Sequence, residues 1–130
     1  MQKMKQPLKK LKYNSADEFL LDIIKYGKPL ETSLVGVFDE EGRGSRRDID
    51  LPLHKDGDYT TEYKDSIDIV ALYCINPGET ETIIELPNGA LKRITLNKNE
   101  ALLINNNTCR HGREGRIGER LLLRVWIQTN

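Results

Sequence analysis

After Pro29 the chain offers no apolar stripe of helical period. Short apolar or alternating segments recur instead, parted by Gly, Pro, Asn and Asp at roughly 8–12-residue intervals. Ser33–Phe38, Ile49–Asp56, Ile67–Ile75, Thr80–Leu86, Ala90–Leu96, Ala101–Ile104 and Glu119–Gln128 read as strands. Pro87-Asn88-Gly89 lies between two of them, and Asn-Gly is the strongest short hairpin signal. With no helical patterns between the strands, a parallel βαβ sheet is not expected. Antiparallel strands of this number and spacing predict an all-β sandwich or open barrel, such as a jelly roll (double-stranded β-helix). Asp39–Asp48, with Gly42, Gly44, Arg43, Arg46 and Arg47, is expected to be a solvated polar loop.

One helix precedes the strands. Ser15 and Glu18 form a capping box, and Ala16, Phe19, Leu20, Ile23 and Ile24 make one apolar stripe. Gly27 ends the helix and Pro29 prevents its return. It should pack on the outside of a sheet. Residues 1–14 carry Lys3, Lys5, Lys9, Lys10 and Lys12 with no acid, and are expected to be a frayed or loosely docked basic arm. Residues 15–130 should then form a single domain, the natural reading of 130 residues.

Composition narrows the partners. Lys plus Arg is 20 and Asp plus Glu is 20, so the excess positive charge of a nucleic-acid binder is missing. The longest apolar run, Ile69–Ile75, falls far short of the roughly 20 residues a membrane helix needs. No apolar stretch follows Met1-Gln2-Lys3-Met4-Lys5, so no secretory leader is expected. Cys74 and Cys109 are too few for a disulfide scaffold and read as small buried hydrophobes. A cytoplasmic protein is the expectation.

The chain holds two histidines. His54 and Asp56 lie two apart, so a strand would turn both to one face. His111 follows the strand Ala101–Ile104 and the polar turn Asn105-Asn106-Asn107. Two His and one carboxylate with open positions suit non-haem Fe(II). The same donors also permit a catalytic Zn site. In the last strand Leu121, Leu123, Val125 and Ile127 share one face, which belongs in the core or under the helix. The other face carries Arg120, Leu122, Arg124 and Trp126. Buried arginines need anionic partners, and a guanidinium grips a carboxylate with a two-pronged fork.

Together these segments resemble one family. Leu51-Pro52-Leu53-His54-Lys55-Asp56-Gly57-Asp58-Tyr59 resembles the first metal motif of the taurine dioxygenase and clavaminate synthase-like 2-oxoglutarate/Fe(II) oxygenases. Leu72-Tyr73-Cys74-Ile75-Asn76-Pro77-Gly78-Glu79-Thr80 is similar to their strand ending in Gly-Gly-x-Thr. Leu103–Arg113 resembles their Asp-Asn-Arg-x-x-x-His-Gly-Arg segment, and Arg120-x-x-x-Arg124 their closing pair of arginines. The resemblance implies Fe(II) held by His54, Asp56 and His111, with these three as the catalytic centre. It implies 2-oxoglutarate on the metal, its far carboxylate meeting Arg120 and the Thr80 hydroxyl. Hydroxylation of a small-molecule substrate, with decarboxylation of 2-oxoglutarate to succinate, is the implied activity. Four residues of strand separate Arg120 from Arg124 by about 13 Å, so the two should differ in role. Arg124 is expected to meet an anionic group of the substrate or to form a structural ion pair. The long insert that many relatives carry between the Thr80 and His111 motifs is missing, so an uncovered face should be hidden in a homo-oligomer. Two other classes fit the residues alone: a cupin-type module that binds a metal or small ligand without turnover, and a Zn-dependent hydrolase.

Overall fold

The computed structural model describes residues 4–36, 51–57, 62–78, 80–114 and 120–129. In chain order these form β1 (Leu8–Lys12), α1 (Ala16–Ile23), a single 3-10 turn (Ile24–Tyr26), β2 (Lys28–Val35), β3 (Leu51–His54) and β4 (Ile69–Asn76). Then follow β5 (Glu81–Glu85), β6 (Leu91–Ile94), β7 (Glu100–Asn105), β8 (Arg110–Glu114) and β9 (Leu121–Gln128). Two antiparallel sheets result, ordered β1-β7-β4-β9-β2 and β3-β8-β5-β6. They face each other as a jelly roll, with α1 packed outside on the first sheet. No helix among the described residues is long and apolar enough to cross a membrane.

The sidedness of β4 explains its unbroken apolar run. Val70, Leu72 and Cys74 point between the sheets, where they meet Leu102, Ile104, Leu122 and Trp126. Ile69, Ala71 and Tyr73 point the other way, under Phe19, Ile23 and Tyr26. A strand buried on both faces has no reason to alternate. Phe19 stacks on Tyr73 with ring centroids 5.1 Å apart, so the helix docks through its aromatic position. Ser15 caps α1 by accepting from the Glu18 amide at 3.2 Å. Leu123, Val125 and Ile127 of β9 lie in the layer under the helix, as their alternation predicts.

Residues 8–12 differ from the expected loose arm. They pair with β7 in register, Leu8 opposite Ile104 and Lys12 opposite Glu100. The lysines are the reason this strand reads as a tail: they protect a sheet edge from further pairing. Lys10 meets Glu100 at 3.3 Å, and Lys9 donates to the Tyr26 hydroxyl at 3.2 Å. The second strand starts at Lys28 and carries Pro29, which is tolerated because β2 is an edge strand with an irregularity between Pro29 and Glu31. The loop with Arg43, Arg46 and Arg47 lies outside the described residues.

Candidate active site

β3 and β8 pair so that His54 sits opposite His111, with ring centroids 4.5 Å apart. The expected strand Ile49–Asp56 stops at His54; Asp56 stands in the turn beyond it. Gly57 explains the stop, because its φ of 95° belongs to a turn. Asn106 explains why the turn holds. Its side chain accepts from the Asp56 N–H at 3.0 Å and donates to the carbonyls of Asp56 at 2.9 Å and Ile67 at 3.0 Å. Asp56 thus has no backbone groups left for a sheet, and its carboxylate swings back beside the histidines.

Asp56 Oδ1 lies 3.2 Å from Nε2 of His54 and 3.2 Å from Nε2 of His111. One ligand atom from each of the three residues falls within 4.8 Å of the other two. Its other oxygen, Oδ2, accepts from the Trp126 indole N–H at 2.7 Å, with Arg124 Nη1 at 3.8 Å. Burial by itself would raise the Asp56 carboxyl. The charge and hydrogen bond of His111, the bond to His54 and the Arg124 guanidinium instead hold it well below the usual carboxylate range.

The donor set fits a cation. His54 Nδ1 lies 2.8 Å from the Pro52 carbonyl and Nε2 3.2 Å from Asp56 Oδ1, and a neutral ring has one hydrogen for these two acceptors. With the hydrogen on Nδ1, Nε2 presents a lone pair to Asp56 Oδ1, which also carries only lone pairs. A metal ion between them turns that opposition into coordination. Ligand atoms about 2.1 Å from one ion, at right angles, sit about 3 Å apart, close to the observed spacing. His111 Nδ1 is buried with no hydrogen-bond partner among the described residues, and the residue stands opposite Ile84 of β5.

Farther in, Arg120 is 7% exposed and donates to Thr82 Oγ1 at 2.5 Å. Burial, and then the charge of Arg113, push its pKa down to about 10, so it remains charged at neutral pH. Among the described residues no carboxylate pairs with it. The hydroxyl that Arg120 meets is that of Thr82, and Thr80 is buried just ahead of β5. The cavity wall is built from Val35, His54, Asp56, Leu72, Thr82, His111 and Arg120, with Gly112, Arg113, Leu122 and Arg124. Thr82, Asn106 and Trp126 are site residues that sequence reasoning passed over. Thr82 shares the strand face of Thr80, and Trp126 the face of Arg124, so alternation was the signal for both. Arg124 lies on the same wall, stacked over Trp126 at 4.7 Å, and makes the ion pair with Asp56.

No protein-family model and no curated protein matches the sequence. Among solved structures, that of a Pseudomonas putida prolyl-4-hydroxylase is similar at a TM-score of 0.54 and 15% identity, covering 95% of this chain and 71% of that one. A structure of OsALKBH1 has a TM-score of 0.49 and 13% identity, covering 98% of this chain and 100% of that one. At such identities the likeness to the hydroxylase is one of fold.

Proposed function

We propose that this chain is an Fe(II)- and 2-oxoglutarate-dependent oxygenase acting on a small molecule. One observation carries the reading. A His-Asp-His donor set and a buried guanidinium with no carboxylate partner among the described residues line the same cavity. A Zn-dependent hydrolase would have no use for the second feature. A dicarboxylate cofactor needs both: a metal for one end and a fixed cation for the other. The fold likeness to a prolyl-4-hydroxylase supports the wider class. The motif order through His54, His111 and Arg120 supports a place beside the taurine dioxygenase and clavaminate synthase-like enzymes.

His54 Nε2, Asp56 Oδ1 and His111 Nε2 would hold the iron. With iron and 2-oxoglutarate bound, the chemistry supplied is oxidation by O₂: one oxygen enters succinate, the other the substrate C–H bond, and CO₂ leaves. The chain's own work is positioning. Arg120 would offer its guanidinium to the far carboxylate of 2-oxoglutarate, and the Thr82 hydroxyl fixes that guanidinium by accepting from Nη2. Val35, Leu72 and Leu122 form the apolar wall that keeps water from the reacting atoms. Asp56, held ionised, supplies one negative charge against the metal's two.

Anaerobic Fe(II) protein should take on a visible charge-transfer colour when 2-oxoglutarate is added. Fe(II) binding with no colour at saturating 2-oxoglutarate would move the binding-module reading ahead. No Fe(II) binding at all would remove the metal.

A further inference from the structure

The two oxygens of Asp56 face different neighbours. Oδ1 lies 3.2 Å from the Nε2 atoms of both histidines, while Oδ2 takes the 2.7 Å bond from Trp126. Trp126 is a well-braced donor. The residue is 9% exposed, and its ring meets Tyr63 edge-on at 5.9 Å and lies under the Arg124 guanidinium at 4.7 Å. Its backbone pairs with both neighbours of β9: Val70 on one side and Glu31 on the other. An indole N–H buried this far needs an acceptor, and the one it has is Oδ2.

We propose that Trp126 is a positioning residue that makes Asp56 a one-oxygen ligand. The proposal rests on the metal reading above. A carboxylate bound through one oxygen occupies one position on a metal, and through two oxygens it occupies two. By engaging Oδ2, the indole N–H leaves only Oδ1 free to turn toward the histidines. A coordination position that Asp56 would otherwise fill stays available to the cofactor and O₂. Arg124 adds charge to the same oxygen from 3.8 Å but makes no hydrogen bond to it, so the fixed donor is the indole.

Trp126→Phe removes the N–H and keeps an aromatic ring under Arg124. Co(II) serves as the probe, because its visible bands report coordination number without turnover. Loss of an outer partner of a metal ligand typically weakens metal binding about 10–100-fold. That loss, with a changed Co(II) spectrum and cooperative unfolding of the metal-free variant, is the expected result. Parent affinity and parent spectrum in the variant would overturn the positioning role while leaving the metal reading intact. A parent protein that binds no Co(II) would overturn both. Should the variant not fold, the parent decides. Trp126 is the chain's single tryptophan, so its indole gives one ¹⁵N–¹H signal. That signal should be protected from solvent exchange and should shift when Zn(II) is added. An indole N–H that exchanges freely and ignores Zn(II) would overturn the proposal.

Discussion

Arg120→Met sets stability and cofactor binding against each other. The depression of the Arg120 pKa from 12.5 to about 10 follows from burial and the neighbouring Arg113 charge. At 1.36 kcal/mol per pH unit it amounts to about 3 kcal/mol against the charged form. Because a cation's folded-state value is lowered, this cost is fully present below about pH 10 and is relieved only as pH rises toward 12.5. Methionine has similar reach and no charge. Its introduction removes the cost but also the charge-assisted Thr82 bond, worth about 2 kcal/mol. The net is a gain of about 1 kcal/mol in the metal-free, cofactor-free protein, within the range seen when buried ion groups are replaced by apolar ones. Thermal unfolding should rise by roughly 3–5 °C for a domain of this size. Binding should move the other way. Losing a charge-assisted contact of about 1.5–3 kcal/mol raises the 2-oxoglutarate Kd about 10–150-fold. The assay is thermal unfolding of both proteins with Mn(II), with and without 2-oxoglutarate at 100 times the parent Kd. The parent should gain about 2.7 kcal/mol and the variant only about 0.3–1.4 kcal/mol. A variant less stable than the parent without ligand, yet equally stabilised by 2-oxoglutarate, would refute both halves of the reasoning.

Three further outcomes are expected. Asn106→Ala strips the Asp56 turn of three buried hydrogen bonds and should cost about 3 kcal/mol by urea unfolding, with weakened Co(II) binding; a loss below about 1 kcal/mol would show that the turn holds without it. Gly27→Ala drives a Cβ into the Gln128 carbonyl oxygen, a backbone group that cannot swing aside, and should cost about 1–3 kcal/mol through displaced pairing of β2 with β9, read from the same denaturant curves. The Asp22 carboxyl would be raised by burial, but bonds from Tyr13 at 2.6 Å and Lys25 at 3.0 Å lower it below 3.8. Its stabilisation is therefore present above 3.8 and lost as pH falls through the lowered value, so Asp22→Asn should reduce the urea midpoint at neutral pH and flatten its decline in acid.

Local chemistry was legible wherever it acts over a few residues. Ser15 caps the helix as its spacing with Glu18 implies, and Gly89 takes the positive φ that Asn88-Gly89 announces between β5 and β6. The alternation of β9 separated the face under the helix from the face with Arg120, Arg124 and Trp126. Pairing across the chain left no such trace. β1 finds its partner far along the chain in β7, with Leu8 opposite Ile104, and its lysines disguise a strand as a tail. β8, Arg-His-Gly-Arg-Glu, has no apolar alternation because its inner face carries His111 and Arg113 into the site cavity rather than into the core. The His54-x-Asp56 spacing put both residues at one place for a reason other than the one read from it. The strand ends at His54, and the Asn106 clamp, which only the fold brings near, returns Asp56 to the histidines.

The most direct test of the central claim is the anomalous diffraction of a crystal grown anaerobically with Mn(II) and 2-oxoglutarate. The account predicts one strong peak bound by His54 Nε2, Asp56 Oδ1 and His111 Nε2, with the far carboxylate of 2-oxoglutarate on the Arg120 fork beside Thr82. A peak elsewhere, or a carboxylate that leaves Arg120 without a partner, would contradict it.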